Sequence, residues 1–269
     1  MVAKSRLDTE LVRRGLARSR EHAQELVDSG RVRIAGLVAS KHATGVDPAA
    51  SLTVDAGGDP DYVSRGGHKL AGALDKFGGP TIGGRRCLDV GASTGGFTDV
   101  LLRRGAREVV AVDVGYGQLA WSLRTDPRVQ VLERTNARAL SAPDIGGAAD
   151  VVVGDLSFIS LRLVLPALVA CVEPTGDMVL LVKPQFEAGR DDVGKGGVVR
   201  DPAVRAAAVR DVAAAAGALG WGTAAVTVSP LIGPAGNVEF FLWLRAGAGA
   251  LDERALANEV GAATMETAP

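Results

Sequence analysis

The chain has 269 residues, enough for one domain of ordinary size and a small companion. Hydrophobic residues make up 47 % and charged residues 23 %, which excludes a disordered or fibrous chain, and no run approaches the roughly 18–20 apolar residues of a membrane span. The formal net charge of −1 hides an asymmetry: residues 1–42 hold nine Lys/Arg against five Asp/Glu, whereas the remainder holds 21 against 26, so a basic segment suited to an anionic partner precedes an acidic body.

The N-terminus shows no apolar signal segment, and the two cysteines, Cys87 and Cys171, form no C-x-x-C pair. The three histidines add no metal spacing. The expectation is a cytoplasmic protein with reduced, buried thiols and no metal.

In chain order, residues 1–56 read as a small α+β module. Leu7, Leu11 and Leu16 mark a first short helix ending at Gly15, and Ser19 caps a second that carries Ala23, Leu26 and Val27 and closes at Gly30. Val32 and Ile34 alternate with arginines, Ala35-Gly36 makes a turn, Leu37-Val38 starts a return strand and Leu52-Thr53-Val54 a last one. Arg13, Arg14, Arg18, Arg20, Arg31, Arg33 and Lys41 are spread over both helices and the hairpin, where they can track a phosphate backbone; Arg6 and Arg65 complete the basic set assigned to RNA. The module has no aromatic residue on which bases could stack, which favours structured RNA over single strands.

Residues 57–63 have linker composition. Ser64-Arg-Gly-Gly-His-Lys69 then leads into a helix with Leu70, Ala73, Leu74 and Phe77 on one side, stopped by Gly78-Gly79-Pro80. From Cys87 strands alternate with helices: strands at 87–90, 109–113, 129–132, 151–154, 178–183, 223–228 and 239–244, helices at 97–104, 115–123, 160–171 and 202–218. This alternation specifies an α/β sheet with helices on both faces, over residues 64–247. Residues 248–269 read as a C-terminal tail with a weak helix around 251–262.

The stretch Arg86–Thr98 organises this second domain. Cys87, Leu88 and Val90 form a buried strand, Gly91, Gly95 and Gly96 a turn, and Phe97, Leu101 and Leu102 a helix. Missing side chains let a ligand approach the backbone, and the new helix offers free N–H groups. Asp113 follows the next strand, 22 residues after Gly91, where a ribose-binding acid belongs in a doubly wound sheet. The dinucleotide spacing G-x-G-x-x-G is absent, and with Asp89 before Gly91 the turn suits S-adenosylmethionine better than NAD.

Ligands of open α/β sheets sit at the carboxyl ends of the strands. Asp155 follows Val151-Val152-Val153-Gly154, Lys183 follows Met178–Val182, Glu239 opens the last strand, and Lys69 precedes the helix before the turn. A lysine directly after five apolar residues is expensive to bury without a partner. Together Lys69, Asp155, Lys183 and Glu239 match the order and context of the Lys-Asp-Lys-Glu tetrad of ribose 2′-O-methyltransferases.

The chain resembles the TlyA-type rRNA methyltransferases, also called the haemolysin A family, with a catalytic domain of the FtsJ class. The likeness rests on Tyr62–Leu70, Asp89–Thr98, Gly154–Ser160, Lys183-Pro-Gln-Phe-Glu187, Gly196–Pro202 and Gly236-Asn-Val-Glu-Phe240. The phrase Arg6-Leu-Asp-x-x-Leu-Val-x-x-Gly-Leu-Ala-x-Ser-Arg20 is similar to the αL-motif RNA-binding domain.

The resemblance implies a Rossmann-like seven-stranded sheet whose last strand is antiparallel, and methyl transfer from S-adenosylmethionine to the ribose 2′-hydroxyl of cytidines in small- or large-subunit ribosomal RNA. It assigns Lys183 to the hydroxyl as proton acceptor, helped by desolvation and by Lys69, with Asp155 and Glu239 orienting the lysines. Gly91, Ala92, Ser93, Gly95, Gly96, Phe97, Asp89 and Asp155 would surround the donor, Asp113 would take its ribose and Asn136 would lie near its adenine. The loop Gly189–Gly197, with Lys195, reads equally as a lid, an RNA contact or a surface loop.

Three other readings fit less well. A dinucleotide oxidoreductase is disfavoured by the glycine spacing and the paired lysines. A membrane-active haemolysin lacks any spanning or amphipathic segment, and a non-catalytic RNA-binding protein would not need the intact tetrad. Oligomeric state is left open.

Overall fold

The computed structural model describes residues 4–17, 19–28, 30–55, 62–233 and 235–266. The chain divides into two compact units, residues 1–61 and 62–269.

In the first unit β1 (Ser5–Arg6) leads into α1 (Leu7–Arg13), followed by α2 (Arg20–Asp28), β2 (Val32–Ile34), β3 (Leu37–Val38), β4 (Gly45–Val46) and β5 (Leu52–Val54). β2 is the centre of an antiparallel sheet of order β3-β2-β5. Ala35 and Gly36 both have positive φ, the backbone that a two-residue hairpin with the native strand twist requires. Ser19 Oγ accepts from His22 N at 3.1 Å, the cap expected for α2. Leu7, Leu11, Ala23, Leu26 and Val32 form the core. The pairing of β1 with β4 was not legible in the sequence, because two-residue strands carry no periodicity.

Two buried acids of α1 organise the arginines around them. Asp8 accepts from Arg6 at 2.9 Å and Arg20 at 3.1 Å, and Glu10 from Arg13 at 2.6 Å and Arg14 at 2.7 Å. The Arg6 guanidinium beside Asp8 holds its carboxyl well below the usual carboxylate range. Arg13 and Arg14 bring Glu10 down to about 2.

The second unit runs α3 (Arg65–Phe77), β6 (Arg86–Val90), α4 (Gly96–Arg103), β7 (Glu108–Val112), α5 (Trp121–Arg124), β8 (Val129–Leu132), β9 (Ala149–Gly154), α6 (Leu165–Cys171), β10 (Val172–Val182), α7 (Pro184–Glu187), α8 (Pro202–Ala218), β11 (Trp221–Val228), β12 (Phe240–Ala246) and α9 (Glu253–Glu266). The seven strands order as β11-β12-β10-β9-β6-β7-β8. β12 runs antiparallel to both of its neighbours, while β6 to β10 pair in parallel. Successive strands step from β6 out to β8, then restart beside β6 with β9, so strand order reverses at β6/β9, where an open sheet leaves its ligand crevice.

Both faces of this sheet are buried, as a parallel sheet requires. Leu88, Val90, Val110, Val152 and Leu180 enter one core with Leu165, Leu168, Val209 and Leu256 from the helices. Their neighbours along the strands, Cys87, Val109, Val151, Val153 and Val179, enter the other with Leu70, Leu74, Phe97 and Leu101. Burial pushes the Cys87 thiol up to about 12, so it is an inert core residue.

The helix expected over 115–123 is a loop that becomes helical only at Trp121–Arg124. Gly117 sits at φ +72°, and the N–H groups of Gly115 and Gly117 donate to the carboxylates of Asp113 and Glu133 instead of to a helix. The stretch 160–171 divides into a 3₁₀ turn, Leu161–Leu163, and α6, with Pro166 at the start of the latter, where a missing N–H is tolerated. The helix expected near the C-terminus is α9, which puts Leu256, Val260 and Ala263 into the core of the second unit. Among the described residues no helix is long and apolar enough to cross a membrane, and no group of His, Cys, Asp and Glu is arranged to hold a metal ion.

Asp8 and Glu10 ionise more readily folded than unfolded, so their contribution to stability is complete above the ordinary values of 3.8 and 4.5 and is lost as the pH falls through the folded ones. The melting midpoint of the first unit should therefore fall as the pH drops from 4.5 to about 2. Glu10→Gln should have a lower midpoint at neutral pH and a shallower acid slope; an unchanged slope would contradict the pairing.

Candidate active site

The strand β6 ends in the glycine turn because residue 91 has no room for a side chain. At φ +84°, a Cβ there would lie 2.6 Å from the carbonyl oxygen of Asp155, at the end of β9. Gly95, at φ +99°, is closed off by the side chains of Leu119 and Leu123. The N–H groups of Gly91 and Ala92 bond to the carbonyl of Val112 at 2.8 and 3.1 Å, tying the turn to the end of β7. One residue on, Asp113 accepts from Ser93 N at 2.8 Å and Gly115 N at 2.7 Å. Ala92, Ser93, Asp113, Leu119, Val131 and Glu133 line a narrow cleft at this point.

Asp89 is fully buried beneath the turn. Its Oδ2 accepts from Thr98 Oγ1 at 2.6 Å, while Oδ1 has no partner among the described residues. Burial and then the field of Asp155 push its carboxyl up to about 7, against the Thr98 bond.

The four charged residues singled out at strand ends form two ion pairs. Lys183, at the end of β10, lies 2.6 Å from Asp155 Oδ1 and donates to Ser157 Oγ at 2.8 Å. Lys69, on α3, lies 2.5 Å from Glu239 Oε2, which stands just before β12. Lys69, Lys183 and Glu239 are only 7, 8 and 1 % exposed. Gln185, two residues after Lys183, donates to Glu239 Oε1 at 3.3 Å. Because Lys69 faces Glu239, its charge is offset there instead of being turned on Lys183.

With the glycine turn against Asp155 and four charged residues paired beside it, the comparisons acquire a meaning. The FtsJ-like methyltransferase family matches residues 62–246, and the S4 domain matches residues 5–50. The chain belongs to the FtsJ-like methyltransferase family. It is 62 % identical to the Mycobacterium tuberculosis 16S/23S rRNA (cytidine-2′-O)-methyltransferase TlyA, over 91 % of each chain. It is 46 % identical to the rRNA methyltransferase YqxC of Bacillus subtilis, over 90 % of this chain and 85 % of that one. A solved Streptococcus thermophilus structure described as a hemolysin covers 99 % of this chain and 98 % of its own, at 38 % identity and a TM-score of 0.78.

The methyltransferase brings together Asp89, Gly91, Ala92, Ser93, Gly95, Gly96, Asp113 and Asp155 around one turn, and Asn136 follows Thr135, whose N–H bonds to the carbonyl of Asp113 at 2.9 Å. Phe97 is buried in the core, its ring 6.0 Å from that of Phe241. Asn136 is exposed, and its Oδ1 accepts from Arg138 N at 3.0 Å to cap a 3₁₀ turn. Ser157 and Gln185 stand inside motifs that the sequence singled out, yet only the fold shows that they touch the paired residues. Cleft residues Leu119 and Glu133 carry no sequence signal, since one is an ordinary apolar residue and the other a surface acid.

In the N-terminal unit the arginines divide by what holds them. Arg6, Arg13 and Arg20 are exposed and braced on Asp8 or Glu10. Arg14 is spent on structure, donating to the carbonyls of Ala50 and Pro48 at 2.7 and 2.8 Å besides Glu10. Arg31 donates to the carbonyl of Asp55 at 3.0 Å and Arg33 to its carboxylate at 2.8 Å. Lys41, and Arg65 at the start of α3, are exposed; Arg18 lies outside the described residues.

The loop 189–197 is held by Asn237, which accepts from Val199 N at 2.9 Å and donates to the carbonyl of Gly197 at 2.8 Å.

Removing Lys69 alone strands a buried carboxylate. Lys69→Met should cost about 3–5 kcal/mol of stability, and adding Glu239→Leu should restore most of it. Urea unfolding of the three proteins checks this, and a double variant no more stable than Lys69→Met would contradict the pairing.

Proposed function

We propose that this chain transfers the methyl group of S-adenosylmethionine to the ribose 2′-hydroxyl of cytidines in ribosomal RNA of the small subunit, the large subunit or both. The observation that carries this reading is the pair of lysine–carboxylate contacts, Lys183–Asp155 and Lys69–Glu239, which join strand ends and helix α3 beside the glycine turn. The name of the M. tuberculosis relative, a 16S/23S rRNA (cytidine-2′-O)-methyltransferase, supplies the nucleotide and the RNA.

The residues around the turn fit the donor. Asp89, Asp113 and Asp155 place three carboxylates about it, which suits a ligand bearing a sulfonium and an ammonium, and Asp89 Oδ1 is a buried acceptor with no hydrogen-bond partner among the described residues. When bound, the donor supplies an electrophilic methyl group. Asp113 is oriented by two backbone N–H groups and keeps lone pairs for ribose hydroxyls.

A ribose hydroxyl is a weak nucleophile at neutral pH and needs a positioned proton acceptor. Lys183 Nζ, held by Asp155 and Ser157, faces that hydroxyl. With its own proton passed to Asp155, Lys183 would accept the proton of the ribose hydroxyl, and Ser157 would hold the amine in place. Lys69 and Glu239 fix the far side of the site. Beside it Phe158, at φ +63°, is 92 % exposed with its ring 5.2 Å from that of Phe186, an aromatic shelf for an unstacked base. The exposed, braced arginines of residues 1–56 supply phosphate contacts for structured RNA, and a ribosomal substrate places the protein in the cytoplasm.

Labelled methyl transfer to purified small and large ribosomal subunits tests the reading, with the modified ribose mapped. Incorporation at a 2′-hydroxyl is expected, and Lys183→Ala should abolish it while donor binding persists. Full turnover by that variant would remove the role given to Lys183.

A cationic donor favours ionised Asp89, whose carboxyl sits at about 7 in the free protein. Binding below that pH must expel a proton. Donor affinity should therefore rise with pH up to about 7 and level off above it, and Asp89→Asn should flatten the profile. Calorimetry in two buffers of different ionisation enthalpy measures the proton released; no release near pH 6 would contradict this.

A further inference from the structure

A second buried carboxylate stands next to the site, and the mechanism above gives it no task. Glu187 ends α7, four residues after Lys183, and is 5 % exposed. Its Oε1 accepts from Leu161 N at 2.7 Å and its Oε2 from Ser160 Oγ at 2.6 Å. Arg162 adds a third donor, Nε to Oε2 at 3.3 Å, and also donates from Nη2 to the Glu187 carbonyl at 2.9 Å. All of these partners lie on the segment that leaves the end of β9, not on the helix that carries Glu187.

The contacts have a consequence for residues 156–159. At one end of this span, Asp155 is paired with Lys183, and Ser157 accepts from Lys183 Nζ. At the other end, Ser160 and Leu161 are held by Glu187. The span is thus stapled at both ends to one five-residue segment, Lys183–Glu187. Between the staples Phe158 sits in the left-handed region at φ +63°, a backbone that a bulky residue adopts only when its surroundings impose it.

We infer that Glu187 is a positioning residue for methyl transfer: by holding Ser160 and Leu161 it fixes the 156–159 loop, and through that loop the Ser157–Lys183 contact and the stance of Phe158. The inference rests on the proposed reaction for its kinetic consequence but on the contacts alone for its structural one. The carboxylate is needed because three donors converge on it, and only an acceptor with two oxygens satisfies them all. A carboxamide keeps the bond from Leu161 N and turns an N–H toward Arg162 Nε. Glu187→Gln therefore stands between the wild type and Glu187→Ala.

Single-turnover methylation of ribosomal subunits, donor affinity by calorimetry, and hydrogen exchange of the 155–162 segment in donor-free protein are measured for wild type, Glu187→Gln and Glu187→Ala. The methylation rate should fall on the order of 10- to 100-fold in Glu187→Ala and less in Glu187→Gln, as expected for a small displacement of a reacting group, with donor affinity unchanged. Exchange in 155–162 should rise in the same order. Combining Glu187→Ala with Ser157→Ala should lower the rate by less than the product of the two single effects, because both act through one contact. A residue that merely stabilises the fold would lower the melting temperature and leave the rate of folded enzyme unchanged. That result, or independent effects in the double variant, would overturn the inference. If wild type methylates neither subunit, the proposed reaction fails, and the exchange experiment still decides whether Glu187 holds the loop: unchanged exchange in Glu187→Ala would refute it.

Discussion

Where β6 ends, the backbone must pass against the carbonyl of Asp155 closely enough that a single methyl group at residue 91 would collide with it. This contact joins the two strands between which the sheet reverses its order. On the β6 side it creates the turn with buried Asp89 beneath and Asp113 beside it. On the β9 side it fixes the backbone of Asp155, from which Lys183 takes its ion-pair partner. Glycine turn and charged site are therefore parts of one junction.

Charge around that junction is balanced in pairs, yet the balance is uneven. Both lysines are matched by carboxylates within ion-pair distance, so the low polarity of their surroundings strengthens each pair instead of expelling it. Asp89 is the exception, a buried carboxyl with one oxygen bonded to Thr98 and the other without a partner among the described residues. In the first unit the same pairing acts, since Asp8 and Glu10 spread their charge over four arginines and hold them in fixed poses.

Much of this was legible in the residue order, and the parts that were not share a cause. Strands with five or more apolar residues and the helix over 202–218 declare themselves, because burial on both faces leaves little choice of residue. Lys183 stood out because a lysine directly after five apolar residues is costly to bury unless paired, and the set of four only through its match to the tetrad of ribose 2′-O-methyltransferases. Which lysine pairs with which carboxylate depends on strand order and on the reversed direction of β12, and neither leaves a trace in spacing. The loop after Asp113 reads as helix in the sequence because its competing acceptors, Asp113 just before it and Glu133 16 residues beyond Gly117, take its N–H groups only in the fold. Phe97 was placed beside the donor by its neighbours in the motif, whereas its side chain follows the helix into the core.

The antiparallel strand β12 has an effect on timing. Running opposite to its neighbours, it presents its first residues, not its last, at the end of the sheet where the other strands finish, so Glu239 arrives at the site from the start of the final strand. The pair it makes with Lys69 spans 170 residues of sequence. A growing chain carries Lys69, the glycine turn and Lys183 long before it carries their last partner. The charged site thus stays open through most of synthesis and closes only when the last strand inserts between β10 and β11, so its completion marks a finished sheet.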